Sequence, residues 1–203
     1  MAYYLRTTDN DGKAHGGFQW PVQVGAVVEA PDWSPKPECG KGLHGLLDGL
    51  GGASYLSWNA DALWWIVEAD DAVCVVGDKW KFPRCTVVAV GSRADVTAEL
   101  YRLRPGPIHG LILTGGDCAT LTGGYGATLT GGDCATLTGG YRATLTGGYG
   151  ATLTGGYRAT LIFLRWINGR RRVLTAYVGE GGVEPGVAYR ANDDHTAVVR
   201  ANA

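Results

Sequence analysis

The chain has 203 residues, 45% of them hydrophobic, and a formal net charge of −1 at pH 7. That length allows one or two domains, and the near-zero charge supplies no field for nucleic acid or an anionic membrane. Five cysteines without scaffold-like spacing argue against a disulfide-built fold, and no run of about 18 apolar residues predicts a transmembrane segment.

The first half, residues 1–107, reads as a small α+β domain of unknown role. Its opening, MAYYLRTTDNDGK, has no apolar run of signal-peptide type, so the expected address is cytoplasmic, with cell-surface association left open. Ala2–Arg6 predicts a short strand, Asp9–Gly12 a turn, and Phe18–Val24 an apolar stretch interrupted by Pro21. Val27–Ala30 continues as a strand. Pro31–Pro37 is expected to be a rigid loop, because prolines remove ladder donors. After Cys39–Gly45, Tyr55–Ser57 is expected to be extended and Asn59–Leu63 to turn. Trp64–Ala69, Val73–Val76 and Thr86–Val90 read as strands, with Lys79–Pro83 linking the last two. Asp95–Tyr101 predicts a helix capped by Ser92, and Pro105–Pro107 marks a boundary. Six of the seven tryptophans lie in this half and predict a packed core.

Cys39, His44, Cys74 and Cys85 are of zinc-ligating type, but no pair has Cys-x-x-Cys spacing, so no metal and no cofactor are expected. Gly40-Lys41-Gly42 lacks the spacing and the following Ser/Thr of a phosphate loop and reads as a turn. Cys39-x-x-Gly42-Leu43-His44, ahead of an apolar strand, resembles a small uncharacterised domain of bacterial and phage proteins. That resemblance supplies no activity. His44, Tyr55 and Glu68 follow the order of the His-Tyr-Glu trio of ADP-ribosyl transferases, a likeness that implies nicotinamide-ribose binding and makes an N-terminal enzyme one alternative. The intervening sequence gives the trio no support, and the expectation is a non-enzymatic protein.

Residues 108–160 say nearly one thing repeatedly. Ala-Thr-Leu-Thr-Gly-Gly begins at Ala119, Ala127, Ala135, Ala143 and Ala151, preceded by LILTGG at Leu111 and followed by a broken copy at Ala159. The period is eight residues, the signature of a repeat architecture. On a strand, Ala119 and Leu121 share one face and Thr120 and Thr122 the other. Gly123-Gly124 is expected to turn the corner through positive φ. Two octads make a sixteen-residue rung, giving a mainly β fold: a flat β-solenoid of about three rungs with Leu and Ala inside and Thr-x-Thr on both faces. A helix is unsuitable, since each glycine costs roughly 1 kcal/mol relative to alanine.

The sixteen-residue phase stacks Tyr125, Tyr141 and Tyr157 in one corner column and Asp117, Asp133 and Tyr149 in the opposite one. Cys118 and Cys134 then occupy equivalent places about 4.8 Å apart, a spacing compatible with a disulfide or with stacked free thiols. Arg142 and Arg158 lie beside the tyrosines, suited to cation–π packing.

Residues 161–203 read as a C-terminal capping domain of β-hairpins. Leu161–Ile167 and Arg171–Val178 pair across Asn168-Gly169, a two-residue turn signal. Val187–Arg190 and Ala197–Arg200 pair across Asn192–His195. A solenoid end exposes unpaired backbone groups, so a cap is physically required. Arg170-Arg171-Arg172 reads as a solvated hairpin tip, and no nucleic-acid partner is expected.

The octads, with their Thr-Leu-Thr core and Gly-Tyr-Gly corner, resemble the repeats of bacterial ice nucleation proteins. Thr160-Leu161-Ile162-Phe163, Trp166, Gly169-Arg170-Arg171-Arg172, Gly179-Glu180, Gly182-Val183-Glu184 and Tyr189 are similar to the C-terminal domain of the same family. The likeness covers roughly residues 111–200. It departs from the family in having about three rungs instead of dozens, Gly-Gly corners where Ala-Gly is commoner, and Ala where Ser is usual. The family's membrane-associated N-terminal domain is not recognisable.

What the resemblance implies is a water-ordering or ice-binding surface, weak at this length. Its residues are Thr120, Thr122, Thr128, Thr130, Thr136, Thr138, Thr144, Thr146, Thr152 and Thr154, each hydroxyl anchoring a water while its methyl limits competing orientations. The expected partners are ice or ordered water and a homo-oligomer joined through Tyr125, Tyr141 and Tyr157 or through the solenoid ends. A structural β-solenoid module with a protein partner is the other alternative.

Overall fold

A computed structural model describes residues 2–75 and 78–201. The chain divides into two compact units, Met1–Pro105 and Gly106–Ala203.

The first unit contains strands β1 (Ala2–Thr8), β2 (Val27–Glu29), β3 (Leu43–Leu47), β4 (Leu63–Ala69), β5 (Val73–Val75), β6 (Lys79–Phe82) and β7 (Arg84–Gly91), then helix α1 (Arg93–Leu103). They form one antiparallel sheet in the order β2-β7-β4-β1-β3-β6-β5. Strand β4 (LWWIVEA) is buried except at Leu63 and Glu68, as an apolar run covered on both faces must be. One face carries the aromatic core, with Trp20 and Trp65 ring centroids 5.7 Å apart and those of Tyr4 and Phe82 4.9 Å apart. Helix α1 packs against β4 and β7 and buries Val96, Thr97 and Leu100. Ser92 caps it, its side chain accepting from the Asp95 amide.

Two local expectations fail in this unit, and one strand there had not been foreseen. Lys79–Phe82 is a strand instead of a link: Trp80 and Phe82 pack toward the core, and the buried Lys81 ammonium donates to the Glu38 and Gly40 carbonyls at 3.0 and 3.4 Å. Leu43–Leu47 also pairs as a strand, and it needs its internal glycine, because a Cβ on Gly45 would lie 2.7 Å from that of Tyr4. Tyr55 closes a 3-10 turn, Ala53–Tyr55, where an extended segment was expected. Val76 lies outside the described residues, as does the side chain of Cys74.

The second unit is a β-solenoid of about three turns with further strands added to it. Its strands are β8 (Ile112–Thr114), β9 (Thr120–Gly123), β10 (Thr128–Thr130), β11 (Thr136–Gly139), β12 (Thr144–Gly147), β13 (Thr152–Gly155), β14 (Thr160–Ile167), β15 (Arg170–Tyr177), β16 (Ala188–Ala191) and β17 (Val198–Arg200). One sheet runs β15-β14-β12-β10-β8 and the other β17-β16-β13-β11-β9. Repeat strands pair in parallel with the strand sixteen residues on: Thr128 with Thr144 and Thr130 with Thr146 in one sheet, Thr120 with Thr136 and Thr122 with Thr138 in the other.

Strand β14 is both the next rung of the first sheet, paired with β12, and the first arm of the hairpin with β15. The hairpin turns through Asn168 and Gly169 at φ 51° and 72°, as an Asn-Gly turn requires. On the second sheet β16 covers β13 and β17 covers β16, both antiparallel. Residues 161–203 therefore share one compact unit with the repeats.

Between the sheets lie Leu121, Leu129, Leu137, Leu145, Leu153 and Leu161 with Ala127, Ala135, Ala143, Ala151 and Ala159, all buried. Each buried leucine contributes about 2 kcal/mol. The glycine pairs do not turn the corners through positive φ. That conformation falls two residues later, at Cys118, Gly126, Cys134, Arg142, Gly150 and Arg158, with φ between 55° and 70°. The glycines answer a need for space instead. A Cβ on Gly123 would meet that of Ala127 at 2.5 Å, and one on Gly140 would lie 2.8 Å from the carbonyl carbon of Gly124 in the preceding rung. The first glycine of each pair lets the sheets close together, and the second lets the rungs stack.

Candidate functional site: threonine faces and corner columns

The alternation that buries leucine turns every threonine of the octads outward. On β9, β11 and β13, Thr120, Thr136 and Thr152 stand in one row and Thr122, Thr138 and Thr154 in the next, each in register with its neighbour. Parallel pairing sets rungs about 4.8 Å apart, and threonines two residues apart on a strand about 6.6 Å apart. Thr120, Thr136 and Thr138 are exposed, the others half-buried. This grid is a charge-free rectangle, bordered by Ala188 beside Thr154.

The opposite face carries Thr128, Thr130, Thr144 and Thr146, all half-buried. Thr114 beside Thr130 and Thr160 beside Thr144 extend the grid in register, while Ile112 beside Thr128 and Ile162 beside Thr146 take the other two end places. The two faces are thus unequal, a difference set by the imperfect first and last copies of the octad.

The corner columns hold the rungs in step. Tyr125 stacks on Tyr141 with ring centroids 5.5 Å apart and planes 19° apart, and Tyr157 follows at 6.2 Å and 41°. The Arg142 guanidinium donates to the Tyr125 hydroxyl at 3.4 Å and lies 5.5 Å from the Tyr141 ring. That hydrogen bond is the main cause raising the Arg142 pKa above its ordinary value. Arg158 sits 5.7 Å from the Tyr157 ring.

Across the solenoid the aspartates do something the sequence reading missed. Asp117 Oδ1 accepts the amide of Asp133 at 2.9 Å, and Asp133 Oδ1 accepts the amide of Tyr149 at 2.8 Å. His109 Nδ1 plays the same part for the Tyr125 amide at 3.0 Å, beneath the tyrosine column. Acidic residues sixteen positions apart at a glycine corner were the available signal. Cys118 and Cys134 are free and exposed, and the Cys118 thiol beside it is the first cause pushing the Cys134 thiol up.

In the first unit, no group of three His, Cys, Asp or Glu side chains among the described residues is placed to hold a metal. Cys39 is exposed, and Cys85 is buried on β7. His44 and Tyr55 line one cavity, whereas Glu68, on β4, is not among its walls. Among the described residues, no helix is long and apolar enough to cross a membrane.

Comparison with known proteins divides along the same line as the structure. Residues 2–99 match the family model "Domain of unknown function (DUF7666)". The repeats and the segment after them are similar to ice nucleation proteins. Ice nucleation protein InaU of Pantoea ananas is 39% identical over 94 residues, which is 45% of this chain and 9% of that protein. An ice nucleation protein of Pseudomonas syringae is 43% identical over 99 residues, 47% of this chain and 8% of its own length. One from Xanthomonas campestris pv. translucens is 40% identical over 94 residues, 45% of this chain and 6% of its length. The chain therefore spans less than a tenth of the length of these relatives. No solved structure matches the chain.

Proposed function

We propose that this chain is an ice-nucleation-like repeat protein whose threonine faces order water and bind ice. The observation that carries the reading is the grid of six threonines on β9, β11 and β13, in register and without a charge among them. Each hydroxyl can fix a water, and the adjacent methyl keeps that water from turning toward the protein. The likeness to proteins named for ice nucleation, at about two-fifths identity over nearly half the chain, points the same way. The face on β10 and β12 is the weaker surface, since isoleucines border it. Activity is expected to be small, because about three rungs at 4.8 Å make a patch only about 15 Å tall. Stacking of chains through the tyrosine column would enlarge it, and the exposed Tyr157 ring offers the contact.

The test is ice-crystal shaping and droplet freezing with two double variants, Thr138→Lys/Thr154→Lys on the first face and Thr130→Lys/Thr146→Lys on the second. Wild type is expected to shape ice, the first variant to lose that activity, and the second to keep most of it. If the wild type leaves ice unshaped while circular dichroism shows a folded solenoid, the faces do not bind ice at this length and the array serves as a structural module. Light scattering of a Tyr157→Ala variant tests self-association separately. A mass identical to that of wild type removes the tyrosine contact.

A further inference from the structure

The first unit holds a cavity of about 750 Å³, walled by β1, β3, the glycine turn at Gly16-Gly17, the loop Cys39–Gly42, Tyr55 and Lys79. Its size suits a small organic ligand. The cavity wall carries more cationic groups than anionic ones. Arg6 reaches it from β1, its guanidinium 3.6 Å from the Trp20 ring and one terminal nitrogen donating to the His44 carbonyl at 3.3 Å. Arg6 Nε and His44 Nε2 are both buried, and neither has a hydrogen-bond partner among the described residues. Buried polar atoms are rarely left so, and two on adjacent cavity walls mark donors that a polar ligand could engage.

The charges around these atoms are one-sided. Lys79 stands at the rim, 5.0 Å from the Tyr55 ring and 3.7 Å from Cys39 Sγ. Lys41 lines the same mouth, and Lys81 lies behind it, tied to the Glu38 and Gly40 carbonyls. Against these stands one wall carboxylate, Asp32. Desolvation, then Lys79, Arg6 and Lys81, push His44 down to about 4, with Asp32 opposing, and burial holds Arg6 at about 9. Asp32 only partly offsets the positive charge around His44. An oxyanion seated here would accept from the Arg6 guanidinium, from the His44 imidazole N–H and from the Lys79 ammonium, three donor types that suit a tetrahedral phosphate. Apolar walls supplied by Phe18, Leu43, Leu46 and Leu56 leave room for an organic body beyond the phosphate.

We infer that this cavity binds a small organic phosphate, its phosphate group held by Arg6, His44 and Lys79. The inference is independent of the threonine faces and concerns the other unit.

Calorimetric titration of the full chain with AMP, with adenosine and with succinate tests it. AMP is expected to bind and the other two to give no heat. Lys79→Gln and His44→Gln are each expected to weaken AMP binding at least tenfold, and proton NMR of His44 should show its titration move to higher pH when AMP is added. Lys79→Gln changes a rim residue and keeps the fold testable where a substitution of Arg6 disturbs the core. Absence of AMP binding at millimolar concentration overturns the inference. So does an affinity equal to wild type in both variants, or binding of adenosine or succinate as tight as that of AMP.

Discussion

Replacing Gly140 with alanine tests the claim that the corner glycines exist to let rungs stack. The new Cβ would lie 2.8 Å from the Gly124 carbonyl carbon, 2.9 Å from its oxygen and 3.0 Å from the Tyr125 nitrogen, where ordinary contact begins near 3.4 Å. All three are backbone atoms, so no side chain can swing away. Restoring contact parts the rungs by about 0.6 Å at that corner and stretches the Gly140 amide bonds to the Gly123 and Gly124 carbonyls from 3.1 and 3.2 Å. Overpacking of this kind costs roughly 1–3 kcal/mol and a weakened hydrogen bond about 1 more. The expected loss is therefore about 2–4 kcal/mol. Gly150→Ala is the control: its nearest neighbour is Cys134 Sγ at 3.6 Å and its φ is 70°, so it carries only the left-handed cost of about 1–2 kcal/mol. Hydrogen exchange of repeat peptides, read by mass spectrometry, reports the stability of this unit alone. Equal protection in the two variants would refute the packing argument. A wedge at one corner also tilts the sheets, so Gly140→Ala should lower ice activity with every threonine in place.

Three further outcomes are expected. His44 has its folded pKa lowered to about 4 from 6.5, so the unfolded state takes the proton first as pH falls. Stability is then intact above about pH 6.5 and declines toward pH 4, by roughly 1–2 kcal/mol once solvent screening of this half-buried group is allowed for. Urea unfolding across that range should show the decline in wild type and lose most of it in His44→Gln. Cys134→Gly relieves a side chain at φ 57°, and the relief of about 1–2 kcal/mol outweighs the entropy of glycine by up to about 1 kcal/mol; slower exchange at that corner is the sign. Asp133→Ala leaves the exposed Tyr149 amide to water and should cost about 0.5–1.5 kcal/mol, while Asp133→Asn, which keeps an oxygen there, should cost less by the same measurement.

Periodicity made the solenoid readable. The alternation of Leu121 with Thr120 and Thr122 fixed inside and outside, and a phase of sixteen set the tyrosine column, because each depends on local geometry repeated without change. The role of Gly-Gly was misjudged for a physical reason: glycine serves both positive φ and close approach, and sequence alone does not separate them. Left-handed backbone at Cys134 and Arg142 shows that side chains were tolerated where glycine was expected. In the first unit, β3 and β6 stayed hidden because Gly45 and Lys81 violate strand composition. Only the Tyr4 side chain and the Glu38 and Gly40 carbonyls, brought near by distant pairing, explain them. The cavity around Arg6 and His44 was equally out of reach, being assembled from segments that no motif connects.

The two corner columns have a consequence for how the array can lengthen or shorten. Insertion or deletion of one octad leaves every strand, leucine and glycine pair in a permitted place, so the chain still coils. Beyond the change, however, the tyrosine column continues on the other edge, where Tyr149 already follows Asp133, and the Tyr125–Tyr141 stack ends. Insertion of sixteen residues preserves both edges. Recombination between such repetitive coding segments is therefore tolerated by the fold at every octad but by the edges only at every second one, giving the lineage a counting unit twice as long as the repeat visible in its sequence.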